Sequence, residues 1–196
     1  MPEDRRRKSR GQSLVEFAIS STVLLLLAMG LIDLSRAFYY SVALQGAARE
    51  GARHAAWFNQ SARQNPFMDD TEIINTVRRA LSGAGLTSGQ INFIAVNGGC
   101  LAPSDGNAAD DKPYPQSAYP TTPQTVNVYA CYTTPAPGSQ QFGTWTTAPI
   151  DNAWKLGDVN VILLMNFQLI TPFIQGLFGG SLDLAYNEHF TVQGRP

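Results

Sequence analysis

Glu16 asks more of its surroundings than any other residue, because it is the single carboxylate in an apolar run that extends from residue 14 to residue 32. A charged side chain at the edge of hydrocarbon costs free energy unless it stays hydrated, takes up a proton or meets a cation, and such residues mark functional positions by default. Immediately upstream, Arg5, Arg6, Arg7, Lys8 and Arg10 form a basic cluster that ends at Gly11. The chemistry on offer here is charge pairing and orientation rather than bond making.

Elsewhere the reactive residue types are sparse. His54 and His189 are far apart in sequence, no Cys-x-x-Cys or His-x-x-x-His spacing occurs, and no metal site is expected. The chain has no nucleophile elbow, no phosphate-binding loop and no histidine placed beside a candidate nucleophile in any recognisable motif, so the reading is not an enzyme and no cofactor is expected. Asp105, Asp110 and Asp111 share a loop with Gly106 and Asn107 whose oxygen-rich composition would suit Ca²⁺, but their spacing is not that of an EF-hand. Asn59-Gln60-Ser61 has the form of a glycosylation sequon.

The element that positions Glu16 is a membrane helix. At about 1.5 Å of rise per residue, residues 14–32 span roughly 28 Å, close to the ~30 Å hydrocarbon core. Asp33 marks the far boundary. The basic cluster holds the N-terminus in the cytoplasm, which places everything after residue 33 outside. Its charge serves topology rather than nucleic-acid binding, since the apolar run follows at once.

The order of residues across this boundary is specific: basic leader, Gly11, then GQSLVEFAIS, with the acid fifth after the glycine and Phe17 directly behind it. This resembles a type IV prepilin processing site, and the resemblance implies a cut between Gly11 and Gln12 by a membrane peptidase on the cytoplasmic side. Glu16 would then lie one helical turn from a new α-amino group. Together with LIDLSRAFYYSVALQGAAREGARHAA, the motif is similar to the TadE-like proteins, minor pilins or pseudopilins of the Tad (Flp-type) systems. The likeness is dense over residues 11–56. It implies a prepilin peptidase, a short major Flp-type pilin, a second pseudopilin and an inner-membrane platform driven by a separate ATPase as partners. By that comparison the chain is not the major subunit, which lacks a head of this size. The implied location is the bacterial inner membrane, single-pass, with lipid around residues 14–32 and passage of the head into an extracellular pilus.

Two other readings of the start compete. A secretory signal peptide could be cut at Ala28-Met29-Gly30, yet Leu31 and Ile32 continue the apolar run, and the cut would leave Glu16 and Gly11 unexplained. A permanently anchored extracytoplasmic binding module that never polymerises would keep the same span.

Past the span, Phe38, Tyr39 and Tyr40 fall where aromatic rings favour the membrane interface. Ala43, Ala47, Gly51 and Ala55 recur every four residues, as do Ala48, Ala52 and Ala56, so one helix carries adjacent stripes of small side chains. Such stripes let backbones approach closely, whether to helices of an assembly or to the head's own sheet, although alanine also simply favours helix. Glu50 can pair with Arg53, while Arg49 and Arg53 need partners to separate them. Continuous helix over residues 14–59 would be ~65–70 Å long.

A chain of 196 residues with a net charge of -1 has room for one membrane segment and one modest head. The divisions are a cleaved leader at 1–11, a transmembrane helix at 12–33, its continuation at 34–59 and a pilin-like head at 60–196. A second, short helix should begin at Asp69 or Asp70 with Ile73, Ile74, Val77, Ala80 and Leu81 on one face, and end at Gly83 and Gly85. Strands follow at residues 91–96 and around Val126, Val128 and Ala130. A long central strand presents Val159, Val161, Leu163, Met165, Phe167 and Leu169 on one side and Ile162 and Leu164 on the other. Residues 182–192 return beside it after Thr171-Pro172 and a Gly179-Gly180 turn. The fold class is therefore α+β, a long helix packed on an antiparallel sheet of about four strands.

Cys100 and Cys131 each follow a predicted strand on the oxidising side of the membrane, which predicts a disulfide worth roughly 3–4 kcal/mol in the chain-entropy model. The loops at 98–123 and 133–156 are long and carry Tyr114, Tyr119, Trp145 and Trp154, whose rings either serve contacts or fold back over the sheet.

Overall fold

In the computed structural model the described residues are 4–57, 70–94, 114–133, 140–142 and 158–191. Cys100, the loop aspartates, Trp145, Trp154 and the sequon lie outside them, so the disulfide and calcium readings are not addressed. Helix α1 (Asp4–Ala56) runs 53 residues without a break, so helix extends upstream of the apolar run into the leader. By length and composition it contains a stretch able to cross a membrane, and none of that stretch is buried in the protein. Its hydroxyls are compatible with lipid because they return to the helix: Ser21 and Thr22 both donate to the Ala18 carbonyl, at 3.0 and 2.8 Å.

After α2 (Asp70–Ser82) come β1 (Ile91–Phe93), β2 (Thr125–Thr133), β3 (Gln140–Phe142), β4 (Asp158–Gln168), α3 (Pro172–Phe178) and β5 (Ser181–Thr191). The sheet order is β1-β2-β4-β5, and β3 pairs with the C-terminal end of β2. The β2, β4 and β5 pairings are antiparallel, whereas β1 runs parallel to β2, which makes the sheet mixed. Residues 94–124 separate those two strands, ample for the crossover that a parallel pair requires.

β4 is central and buried on both faces, as its unbroken apolar sequence predicts. Its odd-numbered residues, Val159 to Phe167, meet Leu44, Ala47, Ala48, Ala52, Ala55 and Ala56 of α1 and Ile73, Ile74, Val77 and Leu81 of α2 in the main core. Thr76, not Ala80, completes the buried face of α2; Ala80 is exposed. Ile162 and Leu164 point the other way, into a smaller cluster with Tyr114, Ala118 and Tyr129. The Tyr129 hydroxyl and the Asn127 amide both donate to the Ala118 carbonyl, at 2.7 and 2.9 Å, and so hold residues 114–119 over that face. Tyr114 and Tyr119 thus fold back onto the sheet.

The turn at residues 169–180 contains a helix of one to two turns, α3, where the sequence suggested only loop. Gly179 ends α3 in the left-handed conformation (φ 80°), its N–H donating to Gln175 at 2.9 Å, and the Leu169 N–H donates to Gly180 at 3.2 Å to close the excursion.

This corner is fastened to α1 by Asp33. The Asp33 carboxylate is almost fully buried (2% exposed) and accepts the backbone N–H groups of Ile170 at 3.0 Å and Thr171 at 2.8 Å. Arg36, one turn on, pairs with it at 3.3 Å and lays its guanidinium over the Phe167 ring, 5.1 Å from the centroid. The Thr171 hydroxyl donates to the Met29 carbonyl at 3.3 Å, which adds a second tie to the same two turns of helix.

Two predictions follow from this packing. Gly51 sits where an added Cβ would come 2.8 Å from Val77 Cγ2 and 3.4 Å from Val161 Cγ1, whereas a Cβ at Gly46 would meet nothing within 4 Å. Gly46→Ala should stabilise the protein by about 0.5–1 kcal/mol through helix propensity, and Gly51→Val should destabilise it by about 1–3 kcal/mol through overpacking. Denaturant unfolding of the detergent-solubilised chain should give these opposite signs. Asp33→Ala strands two buried N–H donors and should cost about 2–4 kcal/mol, with Asp33→Asn costing less because one acceptor remains. Hydrogen exchange should show the Ile170 and Thr171 amides losing protection before those paired between β4 and β5.

Candidate functional site

The residues read as a processing and assembly motif all lie on α1, and the structure places them on one continuous rod. Gly11 is exposed, and a Cβ there would touch nothing within 4 Å, so packing within the chain does not require a glycine at this position. Gln12 Nε2 donates to Glu16 Oε1 across one turn at 3.4 Å, a long contact that supplies a hydrogen bond but no countercharge. Phe17 is 70% exposed beside it. The leader residues Arg5, Arg6, Arg7, Lys8 and Arg10 belong to the same helix by backbone.

The stripes of small residues lie at the other end of the rod and face inward. Ala47, Ala48, Ala52, Ala55 and Ala56 are buried in the head's main core, Gly51 is buried against Val77 and Val161, and Ala43 packs at the margin. Of the two uses the sequence allowed, close approach to the head's own sheet is the one seen. Charges on the outer surface of this segment are partnered: Arg49 reaches Glu188 at 3.4 Å, Arg53 meets Glu50 at 2.6 Å, and His54 Nε2 stands 3.4 Å from Glu72. The hydrogen bond and charge of Arg53 hold the Glu50 carboxyl below its usual range.

The outward face of α1 is apolar well beyond Asp33. Leu34, Phe38 and Val42, four residues apart, are each more than half exposed, with Tyr39 beside them. If a hydrocarbon layer of ~30 Å began at residue 14 it would end near residue 33, and this extension would stand in the headgroup zone or above it. Tyr39 also donates to the Gly83 carbonyl at 3.3 Å, tying the end of α2 to the rod.

Asp33 is the residue that sequence reading placed as a boundary marker and no more. Its role is to clamp the head to the helix, and its partners are backbone N–H groups 137 and 138 positions away, which leave no side-chain signature. Among the described residues, no group of three or more His, Cys, Asp or Glu side chains gathers as a metal site. His54 contacts Glu72 on the surface.

What the arrangement can do is present an apolar helix with one carboxylate near its start while a compact head covers the helix's far end. Such a helix suggests membrane anchoring. No curated protein and no solved structure gives a significant match to the chain. Residues 11–53, from the glycine through the apolar run and most of the small-residue stripes, match the model of the TadE-like protein family, so in this helix the chain is similar to TadE-like proteins.

Proposed function

We propose that this chain is the precursor of a minor pilin or pseudopilin, cut after Gly11 by a prepilin peptidase, and that the mature protein takes part in assembling a Tad pilus and in the adhesion that pilus provides. The observation that carries this reading is the family match over residues 11–53, which begins at the glycine where the cut is expected and takes in Glu16. The open space around Gly11 supports it, since a glycine without an intramolecular reason fits one required by an enzyme that must grip the backbone.

The exposed stripe at Leu34, Phe38 and Val42 supports assembly as well. Apolar surface that continues past the lipid is stabilised when another subunit's helix covers it. In this reading the leader stays in the cytoplasm, the head lies outside the inner membrane, and the major pilin, a second pseudopilin and the assembly platform are the partners. Glu16 pairs with the α-amino group that cleavage creates, on a neighbouring subunit, and so sets axial register.

N-terminal sequencing of protein purified from membranes tests the first step. The wild-type chain should begin at Gln12, and Gly11→Ala should keep Met1 or retain the leader. A start at Met1 in both would leave an anchored, non-polymerising module, and a start at Leu31 would indicate a secreted head. Glu16→Ala should insert normally and be processed, yet fail to enter pili in a sedimentation assay of sheared filaments.

A further inference from the structure

Among the described residues, every large apolar side chain that is exposed lies on α1, or directly after it at Trp57, with two exceptions: Ile170 at 61% and Phe173 at 54%. Both belong to the corner that Asp33 holds. Their axial level is fixed by contacts already described, for Thr171 reaches the Met29 carbonyl and the Asp33 carboxylate, while Ile174 Cδ1 lies 3.7 Å from where a Cβ on Gly30 would stand. Met29 is three residues before the end of the apolar run, so the corner meets the helix about 4.5 Å inside the span rather than above it.

Composition agrees with that depth. From residue 159 to residue 182 the chain has no Asp, Glu, Lys or Arg, so no ionised side chain of that stretch has to be dehydrated if the corner enters the interface. The backbone N–H groups of Ile170 and Thr171 at its entry are satisfied by Asp33 and the chain then turns into helix, which lowers the number of backbone groups left to interfacial water.

We propose that the β4–α3 corner is a second lipid contact, with Ile170 and Phe173 seated in the acyl-chain boundary of the leaflet nearest the head, so that the head rests on the membrane through α3 instead of standing clear on a single stalk. The occupant is phospholipid, because the corner meets α1 at Met29 and Gly30, inside the stretch read as lipid-facing. This rests on the reading of residues 14–32 as membrane-spanning.

The test is site-specific photo-cross-linking of the full chain in vesicles of phosphatidylcholine and phosphatidylglycerol. The photo-reactive residue p-benzoylphenylalanine replaces Phe173, and in separate proteins Ile170, Leu25 in the span and Glu72 at the far end of the head; the last two are both exposed. Mass spectrometry of the labelled peptides should find a gain of one phospholipid at positions 170, 173 and 25 and none at 72. Lipid at 25 but at neither 170 nor 173 overturns the corner contact and leaves the span intact, whereas lipid at none of them removes the span reading and the proposal with it. Lipid at 72 as well would mean indiscriminate labelling, and a cross-link from 173 to a second copy of the chain would make the corner a protein interface; either result overturns the proposal.

Discussion

The Asp33 carboxylate is the interaction on which the relation of head to helix depends. A 53-residue helix has no intrinsic reason to hold a sheet at one height, since apolar side chains on a helix face can slide by a turn with modest loss. A buried charge cannot slide. Two N–H donors of the head converge on the carboxylate and the Thr171 hydroxyl on the Met29 carbonyl, and moving the head by one turn would leave the carboxylate with Arg36 of its own helix alone in a nearly solvent-free place. The small-residue stripes then decide how closely the sheet lies on α1, and Asp33 decides where along it.

These two determinants differ in how readily they can be read from sequence. The stripes were legible because a period of four in Ala and Gly is itself the signal, and β4 was legible because Val159 to Phe167 alternate with Ile162 and Leu164 in a run too apolar for a one-sided strand. Asp33 was not legible as a clamp, because what it binds is main chain. The direction of β1 was equally hidden: three residues, Ile91–Phe93, look the same whichever way their neighbour runs, and pairing with Val126–Val128 is set by the intervening connection. α3 was concealed by Pro172 and the paired glycines, which signal a turn; the intervening residues form a helix, with the proline at its first turn and Gly179 at its end, where each is favoured.

The faces of α1 are accordingly divided. The alanines of the two stripes are consumed inside the protein, so they are not available to bring neighbouring helices to close approach. Outside stand large side chains, Leu34, Phe38 and Val42 beyond Asp33 and Leu24, Leu27 and Leu31 before it, beside exposed Ala18, Ala28 and Gly46. A partner helix on that surface would interdigitate with leucine-sized ridges at the wider end of the 8–10 Å interaxial range. The head's attachment to one side of the rod thus decides which face of α1 stays open.

Glu16 and Asp33 put the same functional group at the two ends of one apolar helix and treat it oppositely. Asp33 is satisfied within the chain by groups that folding delivers to it. Glu16 lies on an exposed helical surface, where the neutral amide of Gln12 makes a long contact at 3.4 Å. Folding of the head does not reach it among the described residues, where the hydrogen bonds from head to helix begin at Met29. In hydrocarbon, a cation for Glu16 would have to come from the N-terminal end of the rod or from another subunit. Removal of the leader at Gly11 would create a cation one turn away, at a helix end whose dipole already favours negative charge. A carboxylate left open by its own fold, near a glycine left open by its own packing, is the arrangement that the proposed cleavage and assembly require.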